Sequence, residues 1–177
     1  MNEYLTAINP QPNNPNAIIM IPDIWGLTDY NEQTARTFAS DYARPCYILD
    51  YFYQLTSKPS KFDPERDSQT APALMDKMTG EDFMAIFKKA VEQIKKSQPG
   101  LSSIQVIGFC FGGRLAYLAG LEQSVKKIVS FYGAKSAMAD YYDGTSAAGA
   151  LCDERAGDNS LKVLAFYGQN DVSIPEN

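Results

Sequence analysis

Three stretches of this chain pair a reactive side chain with a setting that could use it. The first is Gly108-Phe109-Cys110-Phe111-Gly112-Gly113. A β-branched apolar run, Ile104-Gln105-Val106-Ile107, precedes it and reads as a buried strand. Leu115, Leu118 and Ala119 follow at helical spacing. A cysteine between strand and helix, with glycine two residues before and two after, fits a nucleophile carried on a sharp, strained turn whose neighbours must be small. At the helix N-terminus, amide dipoles are expected to favour its thiolate. The plainer reading is a small buried hydrophobe in an ordinary turn; the strand before and the helix after favour the nucleophile. The second stretch, Gly168-Gln169-Asn170-Asp171, closes the last apolar run, and the third, Asp23-Ile24-Trp25-Gly26, follows the first. Nucleophile followed by acid is the chain order of one type of catalytic triad. The third triad member is normally histidine, and the chain contains none.

These residues need elements to position them. Ala17–Ile21 is a continuous apolar run, as expected of a strand buried on both faces. Met1–Asn16 before it reads as an irregular lead-in. A helix is predicted from Asn31, as N-cap, to Tyr42, with Ala35, Phe38, Ala39 and Tyr42 on one stripe. Cys46–Asp50 is the next strand. Tyr51–Gly80 carries three prolines and reads as a long loop, either a cap over the site or a plain surface excursion. Glu81–Ser97, capped by Thr79, has the clearest amphipathic pattern: Phe83, Ile86, Phe87, Ala90, Val91 and Ile94 on one face, and lysines and glutamate, read as a solvated face, on the other. The helix after Cys110 is expected to reach Gln123. Lys127–Tyr132 and Leu161–Tyr167 read as strands, with loop and a short helix between them. Alternating buried strands and amphipathic helices predict an α/β sandwich around a mostly parallel sheet. In such sheets ligands and catalytic groups gather beyond the C-terminal strand ends, where Asp23, Cys110 and Asp171 all fall.

The chain has 177 residues, enough for one domain with a real core. Its net charge of −5 and lack of a basic cluster argue against nucleic acid or an anionic membrane as partner. It has no signal-peptide pattern and no apolar run long enough to span a bilayer. Cys46, Cys110 and Cys152 are too few and too odd in number for a disulfide framework, which implies a reducing, cytoplasmic setting. No motif calls for a metal or cofactor.

From Ala17 onward the chain resembles the dienelactone hydrolase family, α/β-hydrolases with a cysteine nucleophile. The resemblance rests on Asp23-Ile24-Trp25-Gly26, on Gly108-Phe109-Cys110-Phe111-Gly112-Gly113, and on Gly168-Gln169-Asn170-Asp171 with Ile174-Pro175 after it. It implies an α/β-hydrolase fold and a small-molecule ester or lactone substrate. Cys110 would attack the carbonyl and Asp171 would orient the base. The backbone N–H groups of Ile24 and Phe111 would hold the oxyanion. The family carries a thiol-contacting glutamate where Asp23 stands, one methylene shorter. Trp25 would pack beneath or line the substrate site. Arg66 is the candidate for the arginine that helps hold a substrate carboxylate, its plainer reading being a solvated side chain.

The missing histidine is the main departure from that pattern. The family places its base after a further strand, and this sequence stops soon after the acid. The resemblance therefore implies a C-terminally truncated member, a single incomplete domain over 1–177 lacking the last strand and helix; a complete but degenerate paralogue is the other account. Three functions stay open: a cysteine-dependent ester or lactone hydrolase, a catalytically inactive binding domain that keeps the fold, and a thiol redox domain. The last lacks a resolving cysteine.

Overall fold

The computed structural model describes residues 3–11, 13–133, 142 and 144–171. Six strands form one sheet: β1 (Leu5–Ile8), β2 (Asn16–Ile21), β3 (Cys46–Leu49), β4 (Ser103–Phe109), β5 (Val125–Phe131) and β6 (Lys162–Phe166). Their order is β1-β3-β2-β4-β5-β6. All neighbours are parallel except β1, which runs antiparallel to β3 and pairs Leu5 with Leu49. The lead-in expected to be irregular thus holds a strand. Its Leu5 and Ile8 are buried, but four residues are too short a run for an alternation to stand out in sequence.

The helices are α1 (Asp29–Asp41), α2 (Tyr53–Thr56), α3 (Thr70–Lys77), α4 (Gly80–Ser97), α5 (Phe111–Ala119) and α6 (Ala147–Glu154). None of them is long and apolar enough to cross a membrane. On one face of the sheet, Ile18, Met20, Cys46, Ile48 and Ile107 pack with Ala35 and Ala39 of α1. On the other, Ala17, Ile19, Ile21, Val106 and Ile128 pack with α4, α5 and α6. The strict alternation in β2 explains why it reads as unbroken apolar sequence: both faces are covered.

Several boundaries differ from those expected. The N-cap of α1 is Thr28, whose hydroxyl accepts from Asn31 N–H at 3.2 Å; Asn31 lies inside the helix and is buried. Tyr42 is 53% exposed and not part of the packed stripe. The helix after Cys110 ends at Ala119, four residues short of Gln123. Residues 51–80 are not a structureless loop but carry α2 and α3, and Ser60–Phe62 within them is stitched to the segment after β2. Leu27 N–H donates to Ser60 O at 2.8 Å, and Phe62 N–H donates to Trp25 O at 3.0 Å.

The chain passes from β2 through α1 to β3, then crosses back so that β4 lies on the other side of β2. The strand order reverses there, and the crevice between the C-terminal ends of β2 and β4 is where this topology leaves room for a ligand.

Candidate active site

Cys110 sits at that crevice, between the last residue of β4 and the first of α5. Its backbone has φ 53° and ψ −121°, a conformation that a side chain with a Cβ rarely adopts and that costs on the order of 1–3 kcal/mol. Both of its main-chain polar groups are engaged. Its N–H donates to Phe131 O at 3.0 Å, and its carbonyl accepts from Arg114 N–H at 3.2 Å. The corner is held by β5 on one side and the first turn of α5 on the other. A Cβ on Gly112 would collide with the carbonyls of Ile21 and Pro22, and one on Gly108 with the carbonyl of Gly112. The two glycines are needed for close approach of backbone to backbone.

The segment after β2 is braced from three directions. The Asp23 carboxylate accepts from Trp25 N–H at 3.0 Å and from the Asn31 amide at 3.3 Å, and that amide also donates to Gly26 O at 2.8 Å. Tyr51, buried at the end of β3, donates its hydroxyl to Asp23 O at 2.8 Å. The Tyr51 ring meets the Phe111 ring edge-on at 5.8 Å. One side chain thereby ties the Asp23–Gly26 segment to the start of α5. Gly26 has φ 73°, and a Cβ there would run into the carbonyl of Ser60.

The electrostatics of the thiol differ from the expectation. Cys110 is half-buried, and burial is the main cause that pushes its pKa above the ordinary thiol value. The Phe111 N–H faces the sulfur and lowers the pKa, but the Asp23 and Asp171 carboxylates raise it further. The expected thiolate-favouring helix terminus is outweighed, because desolvation and two like charges oppose one inward amide. Cys46 gives the contrast of a purely structural cysteine, fully buried and pushed up to about 12.

The structure brings Cys110, Phe111, Asp23 and Asp171 together, although they come from three strand ends. Ile24 is half-buried against the core within the same braced segment, and Trp25 beside it is half-buried too. Arg66 stands apart from them. It lies on the exposed Asp63–Asp67 turn, and its guanidinium is spent on the Asp67 carboxylate at 2.9 Å.

One aromatic neighbour of the thiol was not singled out from sequence. Tyr132, one residue past β5, has φ 41° and is 43% exposed. Burial, followed by the charges of Asp23, Cys110 and Tyr30, pushes its phenol pKa up, which places Tyr132 at the same crevice. The rule that singled out Asp23 would also have found Tyr132, since both lie just beyond a parallel strand. The bracing roles of Asn31 and Tyr51 carried no such signal.

The sequence matches the model of the dienelactone hydrolase family over residues 4–177. It is 25% identical over 165 residues to a Synechocystis sp. protein named "Putative carboxymethylenebutenolidase", covering 89% of this chain and 62% of that protein. The chain thus spans less than two thirds of that curated relative. A Klebsiella pneumoniae protein described as "Putative Dienelactone Hydrolase" superposes with a TM-score of 0.61 at 13% identity, over 95% of this chain and 82% of its own. A dienelactone hydrolase-like promiscuous phosphotriesterase from metagenomic libraries gives 0.51 at 19% identity, over 92% and 81%. The two solved structures share the fold, and the family match runs through all three strand ends that meet at Cys110. The chain belongs to the dienelactone hydrolase family.

Proposed function

We propose that the chain carries the nucleophile, the oxyanion donors and the acid of a site that cleaves carboxylic esters or lactones, with Cys110 as the attacking group. The observation that supports this most is the Cys110 backbone. A strained φ of 53°, held by two main-chain hydrogen bonds and two indispensable glycines, has no structural use if the side chain is only filler. The names of the relatives point the same way, towards hydrolysis of lactone and ester-like bonds.

In the proposed reaction the Cys110 sulfur, once deprotonated, adds to the substrate carbonyl. The tetrahedral oxyanion is met by the Phe111 and Ile24 N–H groups. Collapse expels the alcohol, which takes up a proton, and leaves a thioester; water then attacks the thioester, releases the acyl group as the carboxylic acid and regenerates the thiol. Asp171 would orient the base that moves these protons, as the family pattern implies. Within residues 1–177 no imidazole is present to be that base, and the raised thiol pKa makes the need for one acute. The same lack of histidine favours a second reading, a binding domain that keeps the site's shape without turnover.

The two readings part in a single acylation experiment. The 177-residue chain is incubated with p-nitrophenyl acetate across a pH series, nitrophenol release is followed, and peptides are mass-analysed. The hydrolase reading expects acetylation of Cys110, faster as pH rises, and none at this position in Cys110→Ala. Nitrophenol release that is the same in Cys110→Ala as in wild type at every pH would refute it.

A further inference from the structure

A hydroxyl contact ties α5 to the end of β6 away from the crevice. Tyr117 lies in α5 two helical turns after Cys110 and is only 9% exposed. Its hydroxyl is 3.0 Å from the hydroxyl of Tyr167, the residue that follows β6 and stands four positions before Asp171. Close to the same helix, Ser130 Oγ of β5 donates to Gly113 O, in the first turn of α5, at 2.9 Å. The Tyr117–Tyr167 contact therefore links the helix that Cys110 caps to the strand end that leads to Asp171.

That strand end is only partly packed, with Phe166 stacked on Phe131 at 4.9 Å. Val163, Leu164, Phe166 and Tyr167 are each 45–52% exposed. Beyond the ladder to β5, its C-terminal end is tied by Tyr132 N–H to Phe166 O at 2.7 Å, and the turn after it by Asp171 N–H to Gly168 O at 3.1 Å. On a half-exposed strand end, a hydroxyl pair whose inner member is buried contributes to positioning.

We propose that Tyr117 is a positioning residue for the acid: through the Tyr167 hydroxyl it holds the β6 end so that Asp171 faces Cys110. The inference rests on the reading of Cys110 and Asp171 as nucleophile and acid. It gives α5 two tasks, presenting the sulfur at its first turn and anchoring the carboxylate through Tyr117 in its second.

The test is the pH profile of Cys110 alkylation by iodoacetamide, read by peptide mass spectrometry so that exposed Cys152 does not interfere. The groups that face the thiol are Asp23, Asp171 and Tyr132. Asp171→Asn is expected to move the profile to lower pH. Tyr117→Phe, which keeps the ring, is expected to move it the same way by a smaller amount, roughly twofold in rate at fixed pH for a shift of about 0.3 unit. The double variant is expected to match Asp171→Asn alone. Tyr167→Phe removes the same hydroxyl pair from its exposed side and should reproduce the shift, and protection of buried Cys46 reports that each variant is folded. A Tyr117→Phe profile that superposes on wild type while Asp171→Asn has moved overturns the proposal and spares the reading beneath it. So does a Tyr117→Phe shift that persists undiminished beside Asp171→Asn. An Asp171→Asn profile that does not move overturns both.

Discussion

Cys110 is the residue at which local and global demands conflict. Left to itself, the backbone would not choose φ 53° for a side chain with a Cβ. The surrounding hydrogen bonds and the close approach of Gly112 to the end of β2 impose it. The thiol's charge is set in the same way. A helix terminus is worth about 0.3–1 kcal/mol to an anion; here it is outweighed by burial and by Asp23 and Asp171. The prediction at this scale concerns Gly112. Gly112→Ala drives a methyl into the carbonyls of Ile21 and Pro22, which are backbone atoms and cannot swing aside. It should cost about 3 kcal/mol in urea unfolding, the upper part of the usual overpacking range, and iodoacetamide labelling of Cys110 should lose its native pH profile. A Gly112→Ala chain with unaltered stability would show that β2 does not press on the elbow.

Among the elements, the connection from β3 to α2 does more than its irregular sequence suggests. Asp50 is 1% exposed, and its carboxylate accepts from Ser60 N–H at 2.6 Å, the residue whose carbonyl holds Leu27. Burial is the main cause that lifts its pKa to about 6, against hydrogen bonds from Ser60, Tyr53 and Phe52 that lower it. A carboxylate with a raised folded-state pKa binds its proton more tightly folded than unfolded. Its contribution to stability is therefore full below about pH 4 and lost as pH rises through about 6. As pH rises through that window, wild type should lose on the order of 2–3 kcal/mol relative to Asp50→Asn, as two pKa units imply. Urea unfolding of both chains between pH 4 and pH 7.5 measures it, and parallel curves would show that Asp50 does not titrate as buried. The helix caps are plainer: Thr79 accepts from Asp82 N–H at 3.1 Å and starts α4 where the sequence says it should.

Across the whole molecule, the sheet is covered unevenly. A row of stacked rings runs from Phe38 of α1 through Phe109, Phe131 and Phe166, with centroids 6.3, 5.0 and 4.9 Å apart. Its inner end lies under α1; its outer end, Phe166, is 47% exposed, and Leu164 on the same face is 52% exposed. Soluble chains seldom leave such a contiguous apolar strip open. The 177-residue chain should therefore bind a hydrophobic dye such as ANS and associate as its concentration rises. Phe166→Lys should weaken both while changing unfolding free energy little, because the ring is already half in water. Equal dye binding by wild type and Phe166→Lys would place the sticky surface elsewhere.

Much of this was legible in residue order. Unbroken apolar runs marked β2 and β3, because strands covered on both faces have no polar side to interrupt them, and shorter β-branched runs marked β4 and β5. The amphipathic stripe marked α4, and glycines spaced around Cys110 marked the corner, because only they let one backbone touch another there. What the sequence could not contain was the balance of forces at that corner. Whether a helix terminus or two carboxylates dominates a thiol depends on distances between segments sixty to ninety residues apart. The same holds for Asn31, which reads as a cap and serves as a brace, for Tyr51, which joins two loops, and for Tyr117, whose partner lies fifty residues away. Short-range pattern determines which elements form, and only their packing decides which polar groups meet.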